Sequence, residues 1–177
     1  MAGRAPGSRL GARGERPSSA AGDQRFAVVA ARFNEPITKR LVAGALDAFA
    51  EAGLASAAIE VHWVHGSFEL PQAAGHLAAT GRFAAVVCVG CVIRGQTPHF
   101  DFVAGQAAAG IQQVALTSGV PATFGVITAL DEAQAWERAG GEVGNRGREA
   151  AVAALEMAAF VQGLRRGREA HGKAKKG

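Results

Sequence analysis

Apolar and polar positions along the chain switch repeatedly between two patterns. Arg25-Phe26-Ala27-Val28-Val29-Ala30-Ala31 is a short continuous apolar run, as in a strand buried on both faces. Asn34-Glu35-Pro36 then supplies a capping residue type and a proline in a first helical turn. Leu41, Ala45, Ala48 and Phe49 recur at helical spacing until Gly53 stops the helix. A second strand is expected from Ala58 to Val64 and a helix near Pro71 to Thr80; a third strand is the buried run Phe83 to Ile93. After the loop Arg94 to Pro98, residues Val103, Ala107, Gly110, Ile111 and Val114 repeat at helical spacing. A fourth strand follows Pro121, at Thr123 to Thr128. Two helices close the pattern, one at Asp131 to Ala139 and one at Arg148 to Leu164 with Val152, Leu155, Ala159 and Phe160 facing inward.

Strands alternating with helices imply βαβ units and a parallel sheet covered on both faces. With right-handed crossovers the expected fold is α/β: a flavodoxin-like three-layer α/β/α sandwich on a four-stranded parallel sheet. The 177 residues suit one domain with tails: a basic extension at 1–24, the body at 25–164 and a flexible basic tail at 165–177. Hydrophobic residues are 49% of the chain and charged residues 19%, ordinary globular usage that excludes wholesale disorder.

The net charge of +4 at first suggests nucleic acid, but its distribution removes that reading. Residues 1–25 carry five Arg against Glu15 and Asp23, and residues 164–177 carry six basic side chains against Glu169. The body between them has 8 basic and 12 acidic side chains, so it is mildly acidic and no nucleic-acid partner is expected on it. The run Phe83 to Ile93 falls short of the ~18 apolar residues a membrane-spanning helix needs, so no membrane partner is expected either. Arg4, Arg9, Arg13 and Arg16 lie among Gly, Ser and Ala without an apolar stretch, which reads as a cytoplasmic protein, with an organellar transit peptide as the other reading. Cys88 and Cys91 form a CxxC, yet positions i and i+3 of a strand point to opposite faces, and no second pair exists to complete a four-thiolate zinc site. Both read as small buried hydrophobes.

Ligands of such sheets bind beyond the carboxyl ends of the strands. There the chain places Arg32-Phe33-Asn34 after the first strand, Gly66-Ser67-Phe68-Glu69 after the second, and Arg94-Gly95-Gln96-Thr97-Pro98-His99 after the third. An aromatic ring, a carboxylate, a hydroxyl beside glycine and an imidazole thus meet at one edge, a polar pocket able to accept a flat ring. Gly90 to Thr97 imitates the GxxxxGK[ST] nucleotide loop, but Gln96 replaces the lysine and Pro98 removes an amide, so an NTPase is rejected. The amides of Gly95, Gln96 and Thr97 would serve either as a single-phosphate site or as a plain strand-to-helix turn.

The ordered set Arg32-Phe33-Asn34, His65-Gly66-Ser67-Phe68-Glu69-Leu70-Pro71, Gly90 to Val103, Phe124-Gly125-Val126-Ile127-Thr128, Glu137-Arg138-Ala139-Gly140 and Asn145 to Ala151, ending in Glu156-Met157-Ala158, resembles the 6,7-dimethyl-8-ribityllumazine synthases. The resemblance runs from about residue 24 to 164 with the expected spacings. It implies condensation of 5-amino-6-(D-ribitylamino)uracil with 3,4-dihydroxy-2-butanone 4-phosphate, without metal or organic cofactor, in the penultimate step of riboflavin synthesis. It also implies roles residue by residue. Phe33 would stack on the pyrimidine. Backbone groups of Ser67 and Phe68 would read the uracil edge, and Glu69 would accept from ribityl hydroxyls. Cys91, Val92, Ile93 and Phe124 join that substrate's contacts. Gln96 and Thr97 would donate to phosphate, with the guanidinium of Arg138 as a second phosphate ligand.

His99 is the expected proton carrier, since an imidazole serves as both acid and base near neutrality. Asp101, two residues on, would orient it, and Arg146 and Asn34 complete the candidate set. His62, His65, His76 and His171 fall outside the matched catalytic position and read as surface or structural residues. A lone site histidine gives a metal no support. The family's sites lie between subunits, with Phe124, Arg138 and Arg146 completing a neighbor's pocket. The resemblance further implies that the chain associates with itself as a pentamer and, since longer connections between the last two helices go with bare pentamers in the family, the short connection Ala139 to Asn145 leans toward an icosahedral shell, with riboflavin synthase as a candidate partner. Two alternatives remain: a riboflavin synthase of the same fold, and a lumazine- or flavin-binding protein without catalysis.

Overall fold

Burial starts with the first strand. In the computed structural model, which describes residues 24–174, every side chain of β1 (Phe26–Ala31) is buried. The chain continues through α1 (Glu35–Glu51), β2 (Ile59–Val64), α2 (Leu70–Ala79), β3 (Ala85–Ile93), α3 (His99–Ser118), β4 (Ala122–Ala129), α4 (Glu132–Glu137), β5 (Ala139–Gly141), β6 (Gly144–Asn145) and α5 (Arg146–Ala174). The four long strands form one parallel sheet in the order β2-β1-β3-β4, the expected three-layer α/β/α arrangement. The expected N-terminal extension lies outside the described residues apart from Gln24.

Alternate residues of the central strands feed two cores. Phe26, Val28 and Ala30 pack with Leu41, Ala45 and Phe49 of α1 and Ala154 of α5. Ala27, Val29 and Ala31 pack with Leu70, Ala74 and Ile111 of α2 and α3. The CxxC thiols obey the same alternation: Cys88 belongs to the second core and Cys91 to the first, and burial pushes both up to about 12. They are free buried cysteines with no route to each other. No helix among the described residues is long and apolar enough to cross a membrane.

Three expectations change at the end of the chain. The helix at Asp131 to Ala139 is only α4, capped by the Asp131 carboxylate, which accepts from Gln134 N at 2.8 Å. Its expected last turn is replaced by the antiparallel hairpin of β5 and β6, whose Gly140 and Gly144 adopt positive φ. The inward face of α5 is also different: Ala150, Ala151, Ala154 and Ala158 are buried, whereas Val152 and Phe160 are 39% and 59% exposed and Ala159 faces out with them. Leu155 alone of the expected set packs against the core, partly buried. The cause is proximity. A Cβ on Gly147 would overlap the Leu41 carbonyl, and one on Gly125 of β4 would come 3.0 Å from the Ala150 methyl. Only the smallest side chains fit such an approach. Finally, α5 runs past residue 164 to Ala174, so much of the stretch expected as a flexible tail is helical.

Candidate active site

Strand pairing continues past the carboxyl ends of the strands and sets the floor of the site. Arg32 N donates to Val64 O at 2.9 Å and Phe33 N to His65 O at 3.0 Å, extending the β1–β2 ladder by two residues. Asn34 adopts the left-handed conformation (φ 58°), which Asn tolerates better than most residues. Its side chain does not cap α1, as the sequence had suggested; Nδ2 instead donates to Cys91 O at 3.0 Å and ties the β1–α1 turn to the end of β3. Phe33 is held on this turn with 67% of its surface exposed, a ring waiting for a partner.

The β2–α2 connection is a single tight turn, Ser67–Glu69. Ser67 is buried because β3 has a glycine opposite it: a Cβ on Gly90 would sit 2.6 Å from Ser67 Oγ. Glu69 Oε2 accepts from Gly66 N at 2.8 Å, completing the turn while the carboxylate stays partly open to solvent. The two readings of Glu69, turn residue and ligand acceptor, are compatible in this geometry.

These turns enclose a cavity of about 590 Å³. Phe33 after β1, Ser67, Phe68 and Glu69 after β2, Cys91, Val92 and Ile93 at the end of β3, and Thr97 and His99 beyond it all line the cavity. His99 is the first residue of α3 and is exposed. His65, Gly66, Gly95, Phe100, Phe102 and Val103 also line it. His65, expected as a surface or structural histidine, is exposed and also lines the cavity. The available signal was its position, immediately past the carboxyl end of β2. Val103 was legible in the helical pattern and Phe102 only within the Gly90 to Val103 stretch, yet the first turn of α3 walls the cavity.

Other candidates lie elsewhere. Asp101 does not orient His99; its carboxylate pairs with Arg94 at 3.5 Å, because residues two apart on a helix diverge. The Arg94 guanidinium also lies 5.6 Å from the center of the Phe100 ring. Gln96 is an exposed loop residue beside the cavity rather than in its lining. Phe124, 43% exposed on the edge strand β4, is paired in register with Cys88, well back from the strand end. Arg138 caps the C-terminus of α4 and donates to Gln134 O at 2.9 Å. Arg146 opens α5 and pairs with Glu149. None of these last three lines the cavity of its own chain. His62 pairs with Glu60 at 3.2 Å on β2.

This constellation was compared with known proteins. The family model for 6,7-dimethyl-8-ribityllumazine synthase matches residues 23–162. The chain belongs to the 6,7-dimethyl-8-ribityllumazine synthase family. It is 49% identical over 138 residues to a chloroplastic 6,7-dimethyl-8-ribityllumazine synthase of Arabidopsis thaliana, a stretch that makes up 78% of this chain and 61% of that relative. The lumazine synthase match contains every cavity residue together with Phe124, Arg138 and Arg146, and it stops before the last turns of α5.

Proposed function

We propose that this chain is a transferase that condenses 5-amino-6-(D-ribitylamino)uracil with 3,4-dihydroxy-2-butanone 4-phosphate, forming 6,7-dimethyl-8-ribityllumazine with release of phosphate and water. The observation that carries the reading is the joint presence of Phe33, Glu69, Thr97 and His99 in one cavity of a chain of this family. Phe33 offers its exposed face to the pyrimidine, and Glu69 accepts from the ribityl chain. Thr97 and the loop amides at the N-terminus of α3 receive the phosphate, where the helix dipole favors an anion.

The uracil 5-amine attacks the ketone and water leaves as the imine forms. Loss of the C3 proton and of phosphate from C4 then leaves an enol, which tautomerizes to a methyl ketone, and attack of the ribitylamino nitrogen on that second carbonyl closes the ring with loss of water. Each step needs a proton given or taken, and His99, exposed at the cavity mouth, is the group placed for it. The phosphate end of the cavity has no lysine or arginine in its own lining. As the family resemblance implies, we assign Arg138 and Arg146, with Phe124, to the cavity of an adjacent copy in a pentamer. By the family's correlation of short connections with shells, the tight β5–β6 connection supports a reading in which such pentamers form closed shells.

The test is lumazine formation, followed by absorbance, on each size-exclusion fraction of the purified protein. Turnover confined to the large fractions is expected. Ligand binding without turnover in any fraction would replace the synthase by a binding protein.

A further inference from the structure

Two histidines line the cavity, and the proposed reaction uses one. His99 stands at the start of α3, beyond β3, and His65 stands beyond β2. The strand order β2-β1-β3 puts Phe33, beyond β1, between them. Neighboring strands lie about 4.8 Å apart, so the two histidines belong to turns about 10 Å apart and cannot serve the same reacting atoms. His65 therefore belongs to the opposite end of the ligand from the proton chemistry.

That end can be identified from its neighbors. The main chain of His65 is fixed, because its carbonyl accepts from Phe33 N at 3.0 Å. The next amide, Gly66 N, donates to the Glu69 carboxylate at 2.8 Å. His65, itself exposed, and the Glu69 carboxylate thus flank one corner of the cavity. A carboxylate can only accept, whereas hydroxyls of a polyol both donate and accept. A polyol held by Glu69 alone keeps acceptor lone pairs unmatched; an adjacent imidazole supplies a ring N–H for them.

We propose that His65 is a specificity-determining residue that donates a hydrogen bond to the polyol chain of the ribitylaminouracil substrate. The inference rests on the substrate assignment above, and its test separates the two. Wild-type, His65→Ala and His65→Gln proteins are assayed with the ribityl substrate and with a 5-amino-6-(alkylamino)uracil that lacks the hydroxyls. Binding of the ribityllumazine product is followed in parallel by fluorescence titration. His65→Ala should raise KM for the ribityl substrate and Kd for the product about fivefold, the worth of one hydrogen bond of about 1 kcal/mol. Its kcat and its KM for the phosphate substrate should stay unchanged. The alkyl substrate should show no difference between wild type and His65→Ala, and the amide N–H of His65→Gln should restore much of the loss. Equal loss with both substrates, or none with either, overturns the proposal. A wild type that binds product without turnover removes the synthase reading and still decides His65 through Kd; a wild type that binds neither removes both.

Discussion

Asn145 joins three elements through one side chain, and the consequence can be worked out in advance. Its Oδ1 accepts from Gly147 N at 2.9 Å and from Arg148 N at 3.1 Å, capping α5. Its Nδ2 donates to Arg40 O of α1 at 2.9 Å and to Ala139 O of β5 at 3.3 Å. The amide also fills the space over Gly44 of α1, where a Cβ would lie 2.5 Å from its atoms. Asn145→Ala removes a cap worth about 1 kcal/mol and two further bonds, discounted to about 0.5–1 kcal/mol each because the site is only half buried. The total of about 2–3 kcal/mol corresponds to a Tm lower by roughly 5–10 °C for a chain of this size. Gly44→Ala alone must displace Asn145 and should also destabilize, even though alanine is the better helix former by about 1 kcal/mol. In the Asn145→Ala background the obstruction is gone, so the same Gly44→Ala change should raise Tm. Thermal unfolding of the four proteins at one fixed concentration, which holds any association constant, measures the cycle. If Gly44→Ala shifts Tm in the same direction in both backgrounds, Asn145 does not occupy that space and the account of the α1–α5 contact is wrong.

Three further outcomes are expected. His99→Ala should lower kcat by roughly 10²–10⁴-fold, the usual worth of a positioned acid–base group, with the size-exclusion profile unchanged; an unaltered rate removes His99 from the mechanism. Arg138→Ala should raise KM for the phosphate substrate roughly tenfold or more, as for loss of a charge-assisted bond, and leave KM for the uracil substrate alone. Cys88 and Cys91, both pushed up to about 12 by burial, should resist a thiol reagent at pH 8 in the native protein and react on denaturation; rapid native labeling would show that the sheet opens.

The sheet was legible because its strands are buried on both faces and so read as unbroken apolar runs between polar turns, β1 and β3 most clearly. Strand order gave the rest: residues just past the carboxyl ends meet whatever their separation in sequence, which is why Phe33, Glu69 and His99 were found together. The same rule puts His65, immediately past the carboxyl end of β2, into the cavity lining. Asp101 failed for the converse reason, since nearness to His99 in sequence says little once a helix turns the side chain toward Arg94. The β5–β6 hairpin has almost no hydrophobic alternation to read; it is set by glycines at positive φ and by the Asn145 amide. In α5 periodicity picked the large residues as the inner face, whereas packing at glycine distance selects alanine.

That inversion bears on the proposed assembly. With alanines turned inward, α5 presents Val152, Met157, Phe160 and Leu164 to the outside, and the cavity rim presents Phe33, Phe68 and Phe102. The cavity is built from the turns after β1, β2 and β3, whereas Arg138 and Arg146 are borne by α4 and α5, after the sheet's last strand. A contact that brings those arginines to a neighboring cavity joins two different surfaces of the same chain. Where the two surfaces do not overlap, such a contact is heterologous, and it closes into a ring or propagates as a filament. A ring leaves no cavity without its cations, so the association proposed above predicts a closed ring, and the mass of the active size-exclusion fraction gives the number of copies in it.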